Sequence, residues 1–250
     1  MTVCYFDAFS GISGDMVVGA LADAGADQGA IIHVLEGLGT EATYEFMKVT
    51  RRGIGATKFR VTVGEAKQHR HLAAIVKMIE ACDVPQRAKK RAIDAFELLG
   101  SAEASVHQVS IEKVHFHEVG EADSIADIVG ACVALELLRI EQIFCSPLNV
   151  GSGTVQTEHG TLPVPAPATA RLLRSTPIYA RGPKAELTTP TGAALACSLA
   201  SGFGPIPHMR VLASGYGAGD RDLGEHANVL RVMVGEWTPN GKTATEVEET

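Results

Sequence analysis

The chain has 250 residues, of which 46% are hydrophobic and 20% charged, so it can build a sizeable core and is not disordered. Its 22 basic and 29 acidic residues give a net charge of −7, which argues against a general nucleic-acid binder, and it has no run of eighteen apolar residues for a membrane span. The N-terminus lacks a secretory signal and the five scattered cysteines form no CxxC pair, which together favour a cytoplasmic protein.

Hydrophobic spacing predicts helices and strands along the whole chain, and therefore a mixed α/β (α+β) protein. The first half is predicted to hold strands over 3–6, 44–50 and 58–63, and helices from residue 16 and over 29–38, 72–82, 85–100 and 123–138. The second half is predicted to hold strands and turns over 149–164, helices near 168–174 and from 189 to 200, and strands over 211–216 and 229–234. We expect one compact unit, which allows two lobes over 1–140 and 141–236, with a disordered tail over 237–250.

A glycine-rich loop follows the first predicted strand. Its candidate ligand-binding residues are Ser10, Gly11, Ser13, Gly14 and Asp15. Glycines let backbone N–H groups approach a ligand, and a helix N-terminus favours anions. The loop lacks the lysine of a P-loop, and its acids would repel a phosphate unless a metal lay between them. The alternative is a tight turn with Ser13 as a helix cap.

The string His115-Phe116-His117-Glu118 precedes a predicted helix that carries Asp123 and Asp127. On a strand, His115 and His117 project to the same face, and the two aspartates lie on one helical face. Imidazoles with carboxylates suit Ni, Zn, Mn or Fe. The acid-bearing face of this helix is otherwise small and apolar, so we expect another element to pack against it. The alternative is a surface strand followed by a solvated helix start.

Three weaker motifs lie elsewhere in the chain. His69-Arg70-His71 offers a second imidazole pair for a metal. The alternatives are an exposed loop without a ligand and a contact between Arg70 and an anionic ligand. A predicted helix start rich in hydroxyl groups contains Thr188, Thr189, Thr191 and Gly192. It suits the binding of phosphate or carboxylate, and the alternative is simple helix capping. The string Gly215–Gly219 fails the dinucleotide-binding pattern and is predicted to be a glycine-rich turn.

Taken together, these strings resemble one family in the same order along residues 3–236. The matching segments are 5–16, 69–72, 115–120, 123–125, 127–130, 149–154, 159–169, 187–194 and 215–219. The family is that of the nickel-insertion proteins of the nickel-pincer nucleotide pathway. Its members are pyridinium-3,5-bisthiocarboxylic acid mononucleotide nickel chelatases, which mature lactate racemase.

The resemblance implies that the chain binds Ni²⁺ and inserts it into a pyridinium mononucleotide, for delivery to a nickel-pincer-dependent racemase. His115 and His117 are then the first metal ligands and His69 and His71 the second choice, while Asp123 and Asp127 ligate or orient imidazoles. Loss of a ring proton requires a base, for which Glu118, Asp7 and a histidine are the candidates. The glycine-rich loop and the Thr188–Gly192 helix start would bind phosphate or thiocarboxylate.

The resemblance also implies that this chain is the N-terminal part of a longer protein. In the family, hydrolysis of CTP with Mn²⁺ is attributed to a C-terminal region, which we expect to be absent here. Many relatives carry a longer histidine run just before the HRH string, whereas here Gln68 precedes His69. A homo-oligomer is compatible with the sequence, and no nucleic-acid or membrane partner is expected.

Two other functions are considered. One is a nickel-binding accessory module without turnover that hands metal to a C-terminal CTP-binding region. The other is a metal-dependent hydrolase with an HxH motif, which normally closes the first strand of an eightfold barrel. Eight strand–helix units are not visible here, and the first HxH comes only at residue 69, so the hydrolase is disfavoured.

Overall fold

The computed structural model describes residues 1–64, 70–114 and 121–238. The helices found there are α1 (Gly14–Asp23), α2 (Gln28–Glu36), α3 (Leu72–Ala81), α4 (Gln86–His107), α5 (Ala122–Leu137), α6 (Pro167–Leu172) and α7 (Pro190–Leu199), with a short 3₁₀ turn at Ile111–Lys113. The strands found there are β1 (Thr2–Asp7), β2 (Ala42–Arg51), β3 (Ile54–Val63), β4 (Gln142–Cys145), β5 (Leu148–Asn149), β6 (Thr154–Thr157), β7 (Gly160–Pro163), β8 (Ile178–Tyr179), β9 (Gly202–Phe203), β10 (Met209–Ala218) and β11 (Val229–Trp237). These elements confirm the predicted mixed α/β class.

Seven strands form one mixed sheet in the order β2, β3, β10, β11, β1, β4, β9. The β2–β3 hairpin and the β10–β11–β1 group are antiparallel, whereas β1, β4 and β9 run parallel. β3 meets β10 through a single parallel pair, Thr57 with Gly217. Since β2 and β9 are its edges, the sheet over the described residues is open, unlike the closed barrel of the HxH hydrolases.

Glycines on β10 bring α1 directly onto this sheet. A Cβ at Gly217 would overlap the carbonyl oxygen of Met16, and a Cβ at Gly215 would overlap that of Ala20. The prediction of a glycine-rich turn over Gly215–Gly219 is therefore wrong, because β10 continues to Ala218. Its glycines accommodate the close approach of a helix backbone, which is one of the roles that glycine has within strands.

Small residues also join α5 to α1. A Cβ at Gly14 would lie 2.5 Å from the Asp127 Cβ, and one at Gly130 would lie 3.3 Å from a methyl group of Val18. This contact confirms that another element packs against the small face of the predicted 123–138 helix. One main hydrophobic core runs through both predicted lobes, whose boundaries stay a prediction.

The other predicted elements are found with their ends shifted by a few residues, most of all in α4, which continues to His107. Helix α7 begins as predicted: Thr189 is its N-cap, and its hydroxyl accepts from the Gly192 N–H at 3.2 Å. The strand-like pattern over 114–119 lies outside the described residues, apart from Val114. No helix in the described part of the chain is long and apolar enough to cross a membrane.

Candidate functional site

Three carboxylates lie where the N-termini of α1 and α5 meet. Asp15 is in the first turn of α1, Asp123 is in the first turn of α5, and Asp127 is in the next turn of α5. The Asp15 backbone N–H donates to the Asp127 carboxylate, which packs against Gly14. Asp127 Oδ1 is buried and has no hydrogen-bond partner among the described residues. Positive helix N-termini suit acids here, yet one carboxylate oxygen is left unsatisfied.

Burial is the main reason why the pKa of Asp127 is raised well above its usual value, and the charges of Asp15 and Asp123 raise it further. The Lys58 ammonium and the Asp15 N–H oppose this shift. Burial also raises the pKa of Asp123, although the Ser124 N–H donates to its carboxylate at 2.6 Å. A bound cation would favour the ionised form of each acid, so the electrostatics of this cluster suit a positively charged ligand.

Lys58, on β3, is a buried cation in contact with this cluster. Only 3% of its side chain is exposed; its ammonium contacts Asp15 and lies 3.0 Å from an Asp220 oxygen. Burial lowers the pKa of Lys58, but the two carboxylates outweigh it and the pKa is raised. The Ser13 hydroxyl donates to the Asp15 carboxylate and accepts no N–H from the first turn, so Ser13 occupies the N-cap position of α1 without side-chain capping.

The sequence analysis did not identify Lys58. One signal was present, since this lysine interrupts the otherwise uncharged stretch 53–59 at a strand position. A buried lysine needs a partner, and its neighbours along the chain supply none. Its partners come from α1 and from the segment after β10, a pairing that only the tertiary structure reveals.

The two histidine motifs lie only partly within the described residues. His69, His115, His117 and Glu118 are outside them, whereas His71 and Val114 are inside. The Nδ1–H of His71 donates to the Val114 carbonyl oxygen at 3.2 Å. This bond joins the residue that precedes the 115–120 segment to the second histidine motif. A neutral imidazole that donates through Nδ1 has its lone pair on Nε2, a common metal-binding atom.

A complete metal site is not found within residues 1–64, 70–114 and 121–238. No group of three or more His, Cys, Asp or Glu side chains is arranged there to hold a metal ion. Helix α5, which carries Asp123 and Asp127, begins two residues after the 115–120 segment. The described acids therefore flank the segment that contains the predicted histidine ligands.

The glycine-rich loop and the helix start of α7 form one joint. The Ile12 N–H donates to the Leu187 carbonyl at 2.9 Å, and the Thr189 N–H donates to the Ile12 carbonyl at 3.0 Å. A Cβ at Gly11 or at Gly192 would overlap the backbone across this joint. Glycine is therefore required here for close packing of the chain against itself.

The hydroxyl groups of this joint have partners within the chain, with one exception. Thr188 Oγ1 donates to the Asn149 carbonyl at 2.8 Å, and Thr189 and Thr191 share a bond of 3.0 Å. Ser10 is fully buried, and its hydroxyl has no partner among the described residues. Ligand binding by this joint stays a prediction. Among its hydroxyl groups, that of Ser10 is the one without a partner among the described residues.

Asp7 lies apart from the acid cluster. Its neighbour Phe6 faces the core that α1 covers, and side chains alternate along a strand, so Asp7 faces the other side of the sheet. There the Arg231 guanidinium donates to one Asp7 oxygen, with Nε at 2.9 Å. The structure therefore does not bring this candidate base to Asp15 or Asp127.

Comparison with known proteins gives a consistent result. A family model described as "Nickel insertion protein" matches residues 4–250. The chain is 50% identical to a "Putative nickel insertion protein" of Citrifermentans bemidjiense, over 95% of this chain and 62% of that protein. It is 46% identical to the "Pyridinium-3,5-bisthiocarboxylic acid mononucleotide nickel insertion protein" of Desulfitobacterium hafniense, over 100% of this chain and 62% of that protein. The chain thus spans less than two thirds of these relatives, and no solved structure matches it.

Proposed function

Because the chain belongs to the nickel insertion protein family, we propose that it binds Ni²⁺ and inserts it into pyridinium-3,5-bisthiocarboxylic acid mononucleotide. The product is the nickel-pincer cofactor, and its recipient is lactate racemase. Several relatives, among them the Desulfitobacterium hafniense protein, carry this substrate in their names, and the resemblance extends over the whole matched region. Nickel is the cargo of this reaction, so it is treated as a substrate.

The metal ligands that we propose are His115 and His117, with His69 and His71 as a second pair. The observation that supports this proposal is the bond between His71 and Val114, the residue directly before His115 in the sequence. Neutral imidazoles suit Ni²⁺, and carboxylates near them orient the rings or complete the ligand set. We assign that supporting role to Asp123 and Asp127.

Forming the nickel–carbon bond replaces a ring C–H bond, so one proton must leave the pyridinium ring for a base. We propose Glu118 as this base, because it follows the histidine pair directly. Asp7 is the weaker candidate, since its carboxylate is occupied by Arg231. No oxidation is required: the nickel ion takes the place of the proton, and the two thiocarboxylate sulfurs complete its binding.

The joint between the glycine-rich loop and α7 is proposed to contact a thiocarboxylate of the substrate. The support is the buried Ser10 hydroxyl, which has no partner among the described residues. Gly11, Ser13, Gly14 and Asp15 belong to the same loop. Thr188, Thr189, Thr191 and Gly192 belong to the opposing helix start.

The alternative is a nickel-binding accessory module that acts with a separate C-terminal CTP-binding region, where Mn²⁺ would assist. The resemblance supports this alternative, because it attributes CTP hydrolysis to a C-terminal region of the family. In both cases we place the protein in the cytoplasm, consistent with its unpaired cysteines, and a homo-oligomer is compatible with either.

The two functions differ in turnover. The purified chain and the full-length Citrifermentans bemidjiense relative are each mixed with Ni²⁺, CTP, Mn²⁺ and the mononucleotide, and the nickel product is measured by mass spectrometry. Product from the chain alone supports the chelatase, whereas product from the relative alone supports the accessory module.

The ligand assignment is tested in the same assay. The double variant His115→Ala with His117→Ala should lose insertion while its far-UV circular dichroism stays unchanged. His33→Ala with His208→Ala, which removes two exposed histidines elsewhere, serves as the control. Unchanged insertion by the first double variant would refute the assignment.

A further inference from the structure

A polar cavity of about 350 Å³ lies between the β2–β3 turn and the segment that connects β10 to β11. Its walls are mainly polar and charged: Thr50, Arg51, Arg52, Asp220, Arg221, Asp222, Leu223, His226 and Asn228. Neither the sequence motifs nor the resemblance pointed to these residues. A cavity of this volume is within the range of small-molecule sites.

Two of its arginines are held in place by the protein backbone. Arg51 donates to the Gly219 carbonyl through Nη2 at 2.9 Å and Nε at 3.3 Å. Arg221 donates to the Glu186 carbonyl at 3.3 Å. A guanidinium carries five N–H donors, so each of these contacts uses only part of its capacity. Positioned guanidinium groups are well suited to bind phosphate.

Arg52 is held more loosely by two carboxylates. Its nitrogens lie 3.7 Å from Asp222 and 3.7 Å from Glu225, whose side chains are 89% and 100% exposed. Exposed ion pairs of this kind contribute little free energy. A phosphate that accepts charge-assisted hydrogen bonds from Arg52 would displace them.

The cavity adjoins the acid cluster through one residue. Asp220 lines the cavity, and its carboxylate lies 3.0 Å from the Lys58 ammonium, which also contacts Asp15. A ligand held by the arginines therefore lies next to Asp220, which Lys58 joins to Asp15 of the acid cluster. This arrangement suits a molecule with an anionic group at one end and its reacting group at the other.

We propose that this cavity binds the phosphate monoester of a pyridinium mononucleotide, with Arg52 and Arg221 as its principal contacts. The inference rests on the proposed function, because it assigns a place to the phosphate of that substrate. The charge balance favours a monoester over a triphosphate. Three arginines and Lys58 face the four carboxylates of Asp15, Asp220, Asp222 and Glu225, so these residues carry no net positive charge to balance a nucleoside triphosphate.

The test uses nicotinic acid mononucleotide, a pyridinium mononucleotide without thiocarboxylates, and isothermal titration calorimetry with the whole chain. Arg52→Gln with Arg221→Gln should weaken binding about a hundredfold, since each lost charged hydrogen bond weakens it by about tenfold or more. The control is Arg60→Gln with Arg210→Gln, which removes the same charge from two exposed ion pairs and should leave binding unchanged. Thermal unfolding checks that every variant is folded.

Two further ligands identify what the arginines recognise. The nucleoside without phosphate should bind the wild-type chain and the Arg52/Arg221 variant equally. Equal mononucleotide affinity in that variant and the wild type would overturn the proposal. CTP binding more tightly than the mononucleotide, with the same loss in the variant, would overturn the monoester assignment.

The insertion assay separates this inference from the proposed function. Arginine-dependent mononucleotide binding without any nickel insertion would contradict the proposed function and leave the phosphate site standing. Nickel insertion with an unchanged KM for the mononucleotide in the Arg52/Arg221 variant would contradict the phosphate site and leave the proposed function standing.

Discussion

Replacing Asp127 with asparagine tests whether this buried acid is kept for function at a cost in stability. The substitution preserves the shape of the side chain and an oxygen that accepts from the Asp15 N–H. It removes a negative charge next to Asp15 and Asp123, at a site where one carboxylate oxygen has no partner among the described residues. Ionising a buried acid beside two other carboxylates is unfavourable, so we expect Asp127→Asn, which stays uncharged, to raise the free energy of unfolding at pH 7 by about 1 kcal/mol or more.

The same substitution should alter how stability depends on pH. The pKa of Asp127 is higher in the folded chain than in the unfolded chain, so the folded state binds the extra proton. Its contribution to stability is therefore complete below the unfolded value of about 3.9 and is lost as the pH rises through the folded value. The loss reaches about 1.4 kcal/mol per pH unit, and Asp127→Asn should abolish it.

Urea unfolding of the metal-free chain between pH 4 and pH 8 measures both effects. Asp94→Asn, which removes an exposed acid paired with Lys90, is the matched control and should leave the pH slope unchanged. A variant at Asp127 that is less stable than the wild type at pH 7, or that keeps the wild-type slope, would refute this reasoning. Asp127→Asn should also retain less nickel than the wild type, because it lacks a negative charge that attracts a cation.

Three further substitutions probe the framework around the site. Gly217→Ala places a methyl group on the Met16 carbonyl and should cost about 1–3 kcal/mol in urea unfolding, whereas an alanine at exposed Gly55 should not. Lys58→Met removes the cation that pairs with two carboxylates and should lower the free energy of unfolding by about 3 kcal/mol at neutral pH. Because the pKa of Lys58 is raised, its ammonium stays charged, and the wild type should remain the more stable protein until the pH rises past that pKa. Thr189→Ala should lower the melting temperature by removing a cap worth about 1 kcal/mol, and Thr189→Ser should restore it; equal melting temperatures would contradict the capping role.

Local patterns were enough to predict much of the fold. The Thr189-Pro190 helix start and the small, packed face of α5 follow from capping chemistry and helical periodicity, and both are confirmed. The resemblance to the nickel insertion family, drawn from short strings, is also confirmed by the family match over residues 4–250.

The failures came from contacts between distant segments. Gly215 and Gly217 were predicted to lie in a turn. They are glycines because the backbone of α1 packs against them, and α1 lies about two hundred residues earlier in the chain. Lys58 and the arginine cavity were missed for the same reason. Lys58 pairs with residues of α1 and of the segment after β10, and that same segment lines the cavity with the β2–β3 turn; no local spacing indicates these pairings.

Metal content tests the central claim most directly. The purified chain is stripped of metal, offered Ni²⁺, Zn²⁺ and Mn²⁺ together, desalted and analysed by inductively coupled plasma mass spectrometry. The His115→Ala/His117→Ala variant and the His33→Ala/His208→Ala control are treated in the same way. We expect the wild type and the control to retain nickel and the first variant to lose it. A wild-type chain without nickel, or a His115/His117 variant that retains as much, would contradict the account.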